Sequence, residues 1–98
     1  MGRYLALWEV DRGRIPVDPK ERGIGWSGLM TLVRRHLEQG PFRSWGAFIG
    51  EESGYVLCEG GEVEVMKALQ EYVPFVRFRL HPLATEEQTN RMIEGLSV

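Results

Sequence analysis

The sequence predicts an α+β domain: a four-stranded antiparallel sheet, two helices on one of its faces, and a further helix at the end. Three observations carry that expectation. "FVRFRLHPL" (75–83) alternates apolar and polar residues with period two, the mark of a half-buried strand. Apolar residues recur at helical spacing in two stretches, Trp26, Leu29, Val33 and Leu37, then Val65, Met66, Leu69, Tyr72 and Val73. Between these lie shorter β-rich runs bounded by turn residues.

Taken in order, "RYLALWEV" (3–10) reads as the first strand, closed by the turn-like "DRGR". Asp18–Pro19–Lys20–Glu21 supplies an N-cap residue, a proline at the first helical position and a glutamate at the third. A helix therefore starts there and runs to Gln39, where Gly40–Pro41 stops it. "FRSWGAFIG" (42–50) and "GYVLCEG" (54–60) are two strands of a hairpin. Gly60–Gly61 then open a second helix through "EVEVMKALQEYV", whose Glu62 and Glu64 suit the positive end of the dipole. Pro74 ends that helix, and the alternating strand follows. Last, "TEEQ" (85–88) is a capping box, opening a helix that puts Met92, Ile93 and Leu96 on an inner side. The order β-α-β-β-α-β, then α, is that of a ferredoxin-like domain.

The totals fit this size and class. Ninety-eight residues, 43% apolar and 27% charged, make one ordinary globular domain, residues 1–98. A net charge of −2 offers no basic field for nucleic acid or an anionic membrane. The single cysteine, Cys58, allows no intrachain disulfide and suits a reducing compartment. The first apolar run, Tyr4 to Trp8, is too short for a signal sequence or a membrane span, so the cytoplasm is the expected location.

Two helices cover only one side of such a sheet, and the other side is where function is expected. Placing Leu5 and Leu7 with Val76, Phe78 and Leu80 under the helices leaves Tyr4, Ala6, Trp8 and Val10 on the free face. Arg77, Arg79 and His81 join them from the last strand, and Tyr55, Leu57 and Glu59 from the third. Aromatic rings beside guanidinium groups suit a lined cleft or a wet interface. Trp8, Tyr55, Arg77, Arg79 and His81 are thus the candidate ligand-binding residues, for an aromatic or anionic metabolite. A free face bearing Tyr4, Trp8 and Leu57 also calls for a cover, and a second copy of the chain is the simplest one. A homodimer is expected.

The stretches "YLALWEV", "WGAF", "GYVLCEGGE" and "YVPFVRFRLHPLAT", in this element order, resemble the dimeric α/β-barrel superfamily, above all its small stand-alone prokaryotic members. The resemblance spans nearly the whole chain. It implies two sheets closing face to face, with a cleft in each protomer between sheet and helices or within the barrel. Superfamily members include cofactor-independent monooxygenases and muconolactone isomerases, but none of their functional residues matches a position here, so activity stays a fold-level analogy.

Each candidate has a plainer reading. Arg77 and Arg79 can grip a carboxylate, or pair with Glu9, Glu59 or a partner's carboxylates. His81 can act as a general base or simply hydrogen-bond at the strand exit before Pro82. Trp8 and Tyr55 can stack a planar ligand or fill an interface. His36 suits the negative end of its helix, and Cys58 a small apolar niche.

"GIGWSG" (23–28) matches the G-x-G-x-x-G dinucleotide fingerprint, yet it lies well after the first strand and inside a helical pattern. Its glycines are better read as loosening the helix start or allowing close packing of Trp26. No cofactor is implied, and no HxxH, CxxC or HExxH spacing marks a metal site. The order is shared with RNA-recognition domains, but the basic–aromatic run they need is missing. No catalytic residue stands out. The alternative to a metabolite-binding protein is a non-catalytic module whose free face only mediates oligomerisation.

Overall fold

A computed structural model describes residues 2–97 and contains the expected elements in the expected order. Strand β1 (Gly2–Val10) leads through a short 3-10 turn at Arg12–Arg14 to helix α1 (Pro19–Gln39). The hairpin β2 (Phe42–Ala47) and β3 (Ser53–Gly60) follows, then α2 (Glu62–Gln70), β4 (Val76–Leu83) and α3 (Glu86–Leu96). Pro19 sits at the start of α1, where its missing N–H costs nothing. At α3 the capping box is complete: Thr85 accepts from the Gln88 amide and Gln88 accepts from the Thr85 amide.

The four strands form one sheet in the order β2-β3-β1-β4, with β1 antiparallel to both β3 and β4, and β2 antiparallel to β3. The molecule is an α+β fold with a four-stranded antiparallel open sheet and three α-helices, an arrangement compatible with a ferredoxin-like domain. Among the described residues, no helix is long and apolar enough to cross a membrane.

The core lies between the sheet and the α1–α2 layer. It gathers Ala6 and Trp8 from β1, Phe42 from β2, Val56 and Cys58 from β3, Val76 from β4, and Val33, Val65 and Leu69 from the helices. This corrects the face expected for β1. Tyr4, Ala6, Trp8 and Val10 point into the core, and Leu5 and Leu7 point away from it. The register gives the reason: Ala6, Trp8 and Val10 stand opposite Leu80, Phe78 and Val76, so the two strands must share one apolar face. Because side chains alternate strictly, choosing the wrong parity for β1 inverts every residue on it. Trp8 also needs the space that only the covered face provides. A side chain at Gly54 would bring its Cβ to 2.1 Å from the Gly46 carbonyl oxygen and 2.5 Å from the Trp8 ring.

The inner side expected for α3 is a second correction. No residue of this helix is buried, and Met92, Ile93 and Leu96 are 55%, 52% and 77% exposed. The long dimension of the molecule is 61 Å. A 21-residue helix such as α1 accounts for only about 31 Å of it. Helix α3 is an arm that extends past the sheet.

Candidate functional site

Residues on the open face fall into rows across the sheet, because each strand contributes every second residue. One row is Tyr55–Leu7–Arg79, the next Leu57–Leu5–His81, and Glu9 stands opposite Arg77. Of the five expected ligand-binding residues, the structure brings four to this face. Tyr55 is half-buried, its hydroxyl 2.8 Å from Ser44 Oγ on β2, and Arg77, Arg79 and His81 are exposed along edge strand β4. Tyr55 and Arg79 stand two strands apart, with Leu7 between them, so the four line a shallow surface rather than a cup. Among the described residues Arg77 and Arg79 make no ion pair or side-chain hydrogen bond, and Arg3 takes Glu59 at 3.2 Å.

Trp8 stands apart from them on the covered face, 2% exposed. Its ring stacks on Trp45 at 5.4 Å, meets Trp26 edge-on at 6.2 Å, and donates its indole N–H to the Gly46 carbonyl at 3.2 Å. Every part of the ring is engaged by the fold itself.

The concavity lies on the other side of the sheet. A cleft of about 640 Å³ opens between the N-terminal half of α1, the Arg12–Pro16 segment, the β2–β3 turn and the start of β4. Its walls are Ile15, Trp26, Leu29, Leu32, Phe75 and Val76, with Arg14, Arg22, Glu51, Glu52 and Glu71 at polar positions. This volume suits a small organic molecule. Arg22 donates to the carbonyls of Pro16 (3.3 Å) and Val17 (2.7 Å), tying the loop to α1. Arg14 pairs with Asp11 at 3.3 Å, and its guanidinium lies 5.8 Å over the Phe75 ring, where a cation meets the ring's negative face.

Gly25 and Gly28 of "GIGWSG" also line this cleft. Helix α1 runs unbroken through the motif, so its glycines do not form the strand-to-helix turn that a dinucleotide fingerprint requires. Nor do they serve packing: a Cβ at Gly23, Gly25 or Gly28 would meet nothing within 4 Å. Inside a helix each glycine costs about 1 kcal/mol relative to alanine. At Gly25 and Gly28 the consequence is open space beside Trp26 and Leu29.

Behind the cleft a polar chain, buried at His36 and Tyr72 and open to solvent at Glu71, links α1 to the segment after α2. Glu71 accepts from His36 Nε2 at 2.8 Å, and His36 Nδ1 lies 2.8 Å from the Tyr72 hydroxyl. An ionised carboxylate only accepts, so Nε2 carries the hydrogen of the first bond, and Nδ1 shares the second with the phenol. The His36 hydrogen bond is the main cause that holds the Glu71 carboxyl below its ordinary range, with the charges of His36 and Arg35 adding to it. Burial pushes the Tyr72 phenol well above its usual value, with the Glu71 charge reinforcing the shift. Tyr72 is therefore held protonated. Burial likewise pushes the Cys58 thiol up to about 11, partly offset by Arg43, which leaves it an unreactive core residue.

The resemblance implied a cleft between sheet and helices, and the glycines of 23–28 fall on its α1 wall; Ile15, Phe75 and the two arginines carried no signal. Among the described residues no cluster of His, Cys, Asp and Glu is arranged to hold a metal ion. No protein-family model matches the chain, and no curated protein sequence aligns with it significantly.

Proposed function

We propose that the chain is a homodimeric small-molecule-binding protein of ferredoxin-like, dimeric-barrel type. Its open sheet face joins two copies, and the cleft beneath α1 takes a flat apolar or aromatic molecule carrying an acidic group. The observation that carries the binding reading is the apolar cleft whose α1 wall is kept open by Gly25 and Gly28. Leu29, Leu32 and Phe75 would hold the ring system, and Arg14 and Arg22 sit where an anionic substituent could reach them. Of the acidic wall residues, Glu71 is already engaged by His36 and Arg35, and Glu51 accepts from Ser53. The ligand class is the one expected from the sequence; the place is different.

The flatness of the open face favours a second reading, in which the chain is a non-catalytic assembly module and the cleft stays empty. Titration with 8-anilinonaphthalene-1-sulfonate, an aromatic anion, separates the two when the Gly28→Leu variant is run beside the parent chain. Leucine there fills the cleft, improves helix propensity by about 1 kcal/mol and meets no neighbour at its Cβ. The binding reading expects saturable binding by the parent, and a variant that is at least as stable yet binds far more weakly. Equal titrations, or none in either, would leave assembly as the function.

A further inference from the structure

Helix α3 is amphipathic and buries none of its residues against the rest of the described chain. Met92, Ile93 and Leu96, with Thr89 beside them, form a stripe along one side, and Glu86 borders that stripe at the N-terminal end. Isolated helices shorter than roughly 12–15 residues are marginal in water, and this one has 11. Its capping box and the Glu87–Arg91 pair add only small increments. An apolar stripe on so short a helix needs a surface to lie on.

The open face of a second copy is such a surface, on three counts. The first is charge: the arm carries Glu86, Glu87 and Glu94 against one Arg91, and β4 exposes Arg77 and Arg79, neither of which makes an ion pair among the described residues. The second is continuity. The arm leaves directly from β4, which forms one margin of the open face, and only Ala84 and Thr85 intervene. A two-fold axis near that junction carries each arm onto the other copy. The third is area. A face of four strands, each about eight residues long, measures about 500 Å² from a 4.8 Å strand spacing and a 3.3 Å rise. A stable interface needs roughly 800 Å² per partner. An 11-residue helix about 16 Å long and 10 Å wide supplies much of the shortfall.

We infer that α3 is an exchanged arm, its Met92–Ile93–Leu96 stripe lying along the β4 side of the partner's open face. The inference rests on the dimer proposed above and adds to it which segment crosses over.

A cross-linking experiment on the full chain tests it. The double variant Arg79→Cys/Ile93→Cys alters two exposed positions, and the buried Cys58 does not compete for reagent. Isotope-labelled and unlabelled protein are mixed in equal amounts, allowed to exchange subunits, and treated with a short bismaleimide; the 79–93 linked peptides are then weighed. An exchanged arm gives linked peptides of which half carry one label of each kind. Linked peptides with no mixed species would mean that the arm folds back on its own sheet. Absence of the 79–93 link in a protein that sediments as a dimer would overturn the arm and leave the dimer standing. A protein that sediments as a monomer would remove both. In parallel, Ile93→Glu is expected to weaken the parent dimer about tenfold or more. An unchanged dissociation constant would contradict the docked stripe.

Discussion

The two faces of the sheet are built from the same strands and differ in nearly everything else. On the covered face Ala6, Trp8, Val56 and Cys58 are at most 2% exposed, and every buried side-chain polar atom there has a partner. On the open face Leu5, Leu7, Tyr55 and Leu57 are only half-buried, and Arg77, Arg79 and His81 extend into solvent. The covered face is complete within one chain. The open face keeps an apolar centre and a charged margin, which the proposed second copy would cover.

That contrast predicts where substitutions act. The largest effect belongs to Trp8→Ala on the covered face. It removes a ring stacked on Trp45 and an indole hydrogen bond, so unfolding in urea should show a loss of about 3–5 kcal/mol. A loss under 1 kcal/mol would mean that the Trp8 niche is far looser than its contacts suggest.

Next comes the partly buried His36 chain that clamps α1 to the segment after α2. His36→Ala leaves the Tyr72 phenol buried without its hydrogen-bond partner, at a cost of about 1–3 kcal/mol. It also changes the pH response. Because the folded state holds Glu71 below its ordinary value, its contribution is present at neutral pH and is lost as pH falls through the carboxylate range. Stability measured from neutral to acidic pH should therefore fall less steeply in the variant. Parallel curves would show that the contact does not set the Glu71 ionisation.

The smallest effect on the folded chain is expected on the open face. Leu7→Ser should change the stability of the monomer by less than about 1 kcal/mol, while loosening self-association measured by light scattering. A large loss of monomer stability would make the open face part of the core after all.

Much of this was legible in the sequence. Proline at the first turn of α1, the capping box at Thr85 and the alternation of 75–83 each fix local structure through nearest neighbours, and all three recur in the molecule. What failed was the parity of β1. "YLALWEV" is apolar on both sides, so alternation alone could not choose between Leu5 and Leu7 or Ala6 and Trp8. The choice is made by cross-strand partners, Phe78 opposite Trp8, and by the room that Gly54 leaves for the indole. The same limit hid the residues of the cleft, whose walls come from separate segments joined only by the fold. Helix α3 shows the reverse case. Its apolar stripe was legible, while what the stripe packs on was left open, and within one chain it stays exposed.

Sedimentation equilibrium of the parent chain beside a Leu5→Glu/Leu7→Glu variant tests the central claim most directly. The open-face account predicts a dimer for the parent and a folded monomer, with an unchanged circular dichroism spectrum, for the variant. A monomeric parent, or a variant that dimerises as the parent does, would contradict it.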